Sequence, residues 1–127
     1  MTATVATDTA KTIAAGDPVA AAKALMPRIR AARDEIEDKR SLPVDLVEAM
    51  AAANLLQLGL PRSAGGPEHD PLTSFQAIEA LARADGSVGW CASISSSVSV
   101  TVGGWLSPQV LIGMFGSPPD ARIAGSV

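Results

Sequence analysis

The sequence predicts an all-α domain of about five helices, packed as an up-down bundle and ending in the stub of a β-strand. Three observations predict it. An N-cap residue followed by proline, the pattern of a helix start, occurs at Asp17-Pro18, Asp70-Pro71 and Ser107-Pro108. Between these starts, apolar residues recur mostly at spacings of three and four rather than two. The 127 residues, 47% hydrophobic and 18% charged, suffice for one domain with a modest core and do not have the composition of a disordered tail.

Residues 1–16 are rich in Ala and Thr, with Lys11 as the only basic residue and no continuous apolar core. They read as a flexible leader rather than a secretory signal, and the expected compartment is the cytoplasm. The helical domain is expected over residues 17–120. Its first helix starts at Asp17-Pro18 and places Leu25, Ile29, Ala32 and Ile36 on one face, with Arg30/Asp34, Arg33/Glu37 and Glu35/Lys39 paired four apart on a solvated face. Pro27 should kink this helix or mark its true start. Pro43 opens a second helix with Leu46, Val47, Met50 and Ala53 inward, followed by the short apolar segment 55–60. Residues 61–70 form a loop by their Gly and Pro content. A third helix follows Asp70-Pro71, with Phe75, Ile78 and Ala82 on a common face and Glu79/Arg83 paired. Asp85-Gly86 ends it and can cap the next.

From Gly86 to Pro119 there is no Asp, Glu, Lys, Arg or His. The fifteen steps from Trp90 to Trp105 cover only about 22 Å as a helix, short of the roughly 30 Å hydrocarbon core of a bilayer. Six Ser and Thr residues interrupt the run and no basic cluster flanks it, so the expectation is protein burial with no membrane partner. Val98, Val100 and Val102 alternate with Ser and Thr as in a strand. The longer window favours a helix: Val88, Cys91, Ser95, Val98 and Val102 form one stripe, and Trp90, Ser93, Ser97 and Thr101 form a second, about 130° away. A short helix follows Ser107-Pro108 through Phe115, and residues 121–127 read as the beginning of a strand, with Ile123 and Val127 alternating.

Composition excludes much chemistry. A net charge of −3 offers nothing to a nucleic acid, and one Cys with one His excludes a disulfide framework and the common zinc motifs. His69, between Glu68 and Asp70 in a polar loop, reads as solvent-exposed, and no serine sits in a Gly-x-Ser-x-Gly elbow. Cys91 reads as a small core residue. No catalytic or metal-binding set emerges. What stands out is the second stripe of the uncharged helix. An indole and hydroxyls without charge suit the wall of a substrate pocket or a close helix contact, so Trp90, Ser93, Ser97 and Thr101 are the candidate site residues. The alternative is that those hydroxyls simply bond back to carbonyls one turn earlier.

The ordered set Leu42-Pro43, Gly59-Leu60-Pro61, Gly65-Gly66-Pro67, Glu79-Ala80-Leu81-Ala82 and Ala84-Asp85-Gly86-Ser87 closely resembles the N-terminal helical domain of the acyl-CoA dehydrogenase superfamily, over roughly Ala20 to Val127. Asp85-Gly86-Ser87-Val88-Gly89-Trp90 and Asp120-Ala121-Arg122-Ile123-Ala124 look most like its flavin-dependent hydroxylase branch. The resemblance implies two-component monooxygenases acting on aromatic or polycyclic substrates with reduced flavin from a separate reductase. The dehydrogenase branch instead oxidises acyl-CoA thioesters. It further implies a following β domain, which residues 121–127 would begin, a C-terminal four-helix bundle, FAD or FMN held mainly by those parts, and a homotetramer. Some hydroxylase relatives carry a histidine further along this helix, where this chain has only Ser, Val and Thr. The expectation is a truncated N-terminal domain that walls the substrate cavity, binds no flavin and lacks turnover alone. The competing expectation is a non-enzymatic helical interaction module that pairs through its uncharged helix.

Overall fold

A computed structural model describes residues 16–115. They form α1 (Pro18–Ala31), α2 (Arg33–Lys39), α3 (Val44–Ala52), a 3-10 turn (Arg62–Ala64), α4 (Pro71–Ala84), α5 (Gly86–Trp105) and α6 (Pro108–Phe115), with no strand among the described residues. The all-α expectation holds. Most of the expected leader and the whole of the expected strand 121–127 lie outside the described residues.

Six helices replace five because the first is interrupted, though not at Pro27. Helix α1 starts at Pro18, where the Asp17 carboxylate accepts from the amides of Val19 and Ala20, and it runs straight through Pro27. The break falls at Ala32, whose N–H is shared between the carbonyls of Arg28 and Ile29 at 3.2 and 3.1 Å. Pro27 is exposed, so its ring projects into solvent and the single missing donor is tolerated.

The main core joins Ile29, Ile36, Leu46, Met50, Leu55, Leu58, Leu81 and Val88, with α1 packed along α4 and α4 along α5. On α4 the inward residues are Ala77, Ala80, Leu81 and Ala84. Of the expected face only Ile78 packs against the core, half-buried, while Ala82 is exposed and Phe75 is 69% exposed. The reason is close approach. Small side chains let α1 and α4 pack tightly, whereas Phe75 would hold them apart. Segment 55–60 is the buried element the sequence suggested, apart from half-buried Gly59. It is tied to the loop beyond by His69 N–H donating to the Leu58 carbonyl at 2.9 Å and Glu68 N–H to the Leu60 carbonyl at 3.0 Å. Half-buried His69 thus holds the loop through its backbone. A second small cluster, Leu60, Ala64, Leu111 and Phe115, seats α6 on the 3-10 turn.

Helix α5 packs closely through small residues. Its buried residues are Val88, Gly89, Ala92, Ser95, Ser96 and Ser99. A Cβ on Gly89 would overlap Ala82 of α4, and one on Gly59 would overlap the Val100 side chain. One on Gly103 would lie 2.6 Å from Pro61 Cδ. The buried hydroxyls are spent internally: Ser96 Oγ accepts from Leu58 N–H at 3.4 Å, and Ser99 Oγ donates to the Ser96 carbonyl at 2.7 Å. Among the described residues no buried side-chain polar atom lacks a partner, and no helix is long and apolar enough to cross a membrane.

Two outcomes follow for stability. Gly89→Val is expected to lower unfolding free energy by about 1–3 kcal/mol, because Ala82 backbone stands in the way. Gly113→Ala, in open space on α6, is expected to raise it by about 0.5–1 kcal/mol, both read by urea unfolding. A third concerns pH. Hydrogen bonds from the Thr73 hydroxyl and amide hold the Asp70 carboxyl below its usual pKa. The Arg28 guanidinium does the same for Asp45. A depressed carboxylate stabilises the fold above its unfolded pKa near about 4, and that contribution is lost as pH falls through the folded value. The urea midpoint should therefore drop on acidification below about pH 4. Asp70→Asn, which keeps a capping oxygen but does not titrate, should flatten that drop.

Candidate functional site

The candidate strip is built on α5, which Asp85 positions. This residue ends α4 with its N–H on the Leu81 carbonyl at 3.0 Å and starts α5 with its carboxylate on the amides of Ser87 and Val88 at 2.8 and 3.4 Å. The side chain, 15% exposed, also faces the Arg33 guanidinium at 3.8 Å, so one residue ties the helix corner to the start of α2.

With α5 fixed this way, its small face enters the core and the opposite face stays uncovered. Trp90 is 67% exposed, Ser97 and Thr101 are exposed, and Ser93 is half-buried. The four sequence-predicted residues therefore share the open side, with half-buried Ser93 at its edge. Sequence reasoning missed three others there. Cys91 is exposed, not in the core as expected, and Ile94 and Val98 are half-buried. Trp105, at the end of the helix, is 86% exposed. The error has a physical cause: the stripe read as inward counted Cys91 and Val98 as core, whereas close approach buries Gly, Ala and Ser.

The hydroxyls on this side make local bonds. Ser97 Oγ donates to the Ser93 carbonyl at 2.7 Å and Thr101 Oγ1 to the Ser97 carbonyl at 3.0 Å. The back-bonding alternative thus describes their protons correctly, while the face they occupy remains open to solvent. No Asp, Glu, Lys, Arg or His occurs between Gly86 and Phe115.

Two cavities lie beside other residues of the bundle. One of about 640 Å³ lies between α1 and α4 beside Lys23, Met26 and Arg83. A smaller one of about 220 Å³ meets the strip at its edge, where Ile36, Arg40 and Leu42 face Cys91. Desolvation there pushes the Cys91 thiol above its ordinary pKa. Among the described residues no group of three His, Cys, Asp or Glu could hold a metal ion. The N-termini of α1, α4 and α5 carry the carboxylates of Asp17, Asp70 and Asp85, each accepting from first-turn amides, and their negative charge opposes a phosphate there. Native chain should accordingly take up one equivalent of iodoacetamide at Cys91, with a rate that keeps rising with pH past the ordinary thiol pKa of about 8.5 rather than levelling off near neutrality as for an activated thiol.

Comparison with known proteins gives this arrangement a lineage. Residues 19–106 match the N-terminal domain of acyl-CoA dehydrogenases. The chain is 33% identical over 107 residues to the flavin-dependent monooxygenase oxygenase subunit HsaA of Rhodococcus jostii, a match covering 81% of this chain and 27% of that protein. It is 33% identical over 112 residues to HsaA of Mycobacterium tuberculosis, covering 85% and 27%. Indole-3-acetate monooxygenase of Acinetobacter baumannii is 31% identical over 100 residues, covering 79% and 25%. The chain thus spans about a quarter of the length of these curated relatives. From the match over 19–106 and the helical fold that carries it, the chain belongs to the acyl-CoA dehydrogenase family, of which it holds the N-terminal domain.

Proposed function

We propose that this chain is the N-terminal substrate-cavity domain of the oxygenase component of a flavin-dependent monooxygenase. One observation carries the reading: a 20-residue helix, firmly packed on one side, keeps its opposite side uncharged and uncovered, with Trp90 laid open on it. An exposed indole among hydroxyls and aliphatic side chains is poorly matched to water and well matched to a flat apolar ligand. The monooxygenase names of the relatives favour this branch over acyl-CoA oxidation.

In this reading Trp90, Ser93, Ser97 and Thr101 wall the cavity and keep water from the reacting groups. FAD or FMN, reduced by a separate reductase, supplies the oxygen-transferring chemistry. By the family resemblance, its phosphates are held by residues outside this chain, in the β and C-terminal helical parts of a cytoplasmic homotetramer. The isolated chain, which spans about a quarter of these relatives' length, then has no turnover of its own.

A second reading also has its observation. Trp105 and the α6 residues Val110, Ile112 and Met114 are exposed, which suits a helical interaction module that pairs through this end of the molecule.

The test has two arms. Desalted after incubation with FAD or FMN, the isolated chain should retain no stoichiometric flavin; retained flavin with turnover would overturn the proposal. Residues 19–106 grafted over the matching part of the Rhodococcus jostii oxygenase should support flavin-dependent hydroxylation. In that chimera Trp90→Ala should raise KM for an aromatic substrate about tenfold, the upper range of an aromatic contact, with flavin affinity unchanged. A folded, active chimera indifferent to Trp90→Ala and Ser97→Leu would sink the wall assignment. A tight dimer of the isolated chain in sedimentation, lost on Trp105→Ser, would favour the second reading.

A further inference from the structure

We draw no further inference here: the strongest candidate, the cavity of about 640 Å³ between α1 and α4, has only exposed polar side chains in its lining, with Arg83 already paired to Glu79 at 2.7 Å, and nothing in the structure shows what covers it.

Discussion

The fold depends on how closely other chain segments approach the buried side of α5. Gly89 lies against Ala82, Ser96 receives the amide of Leu58, and Gly103 lies under Pro61. A helix dressed in Leu or Ile on that side would stand farther off and forfeit these contacts along its length. Dispersion is small per atom pair and grows with the number of pairs, so a stripe of small residues stabilises through proximity what it lacks in apolar area. Serines suit such a stripe because the helix itself satisfies them. Ser99, fully buried, donates to the Ser96 carbonyl and leaves no polar atom stranded.

That packing mode explains what the sequence made legible and what it hid. Helix starts were plain because caps are local chemistry: Asp17, Asp70 and Asp85 each bind amides within three residues, as their types and their following Pro or Gly announce. The loop at 61–70 and the buried run at 55–60 were equally visible, one from Gly and Pro and the other from its leucines. Which way α4 faces, and how narrow the buried stripe of α5 is, were not. The rule that larger apolar residues turn inward fails where helices nearly touch, so Phe75 and Cys91 are exposed while Ala77, Ala92 and Ser95 are buried. The interruption at Ala32 was hidden for a different reason. Nothing local distinguishes that alanine from its neighbours, and Pro27, the expected cause, is accommodated on the exposed side.

The candidate strip was legible as a set of residues but not as a surface. Trp90, Ser93, Ser97 and Thr101 could be grouped by helical spacing, and all four lie on or at the edge of the open side. Their neighbours Ile94 and Val98 belong to the same surface, yet their hydrophobicity argued for the interior. An uncharged sequence has two causes in this helix. One side excludes charge because it is packed, and the other does so while facing outward, where solvation alone would favour Lys or Glu. Only the second calls for a reason beyond folding.

The corner at Asp85 carries a further consequence. A single residue closes one helix and opens the next, leaving no slack between Ala84 and Gly86. A residue added there would separate the two caps that Asp85 makes at once, leaving either the end of α4 or the start of α5 without its partner. The same carboxylate faces Arg33, so the start of α2 would lose its tie to the corner as well.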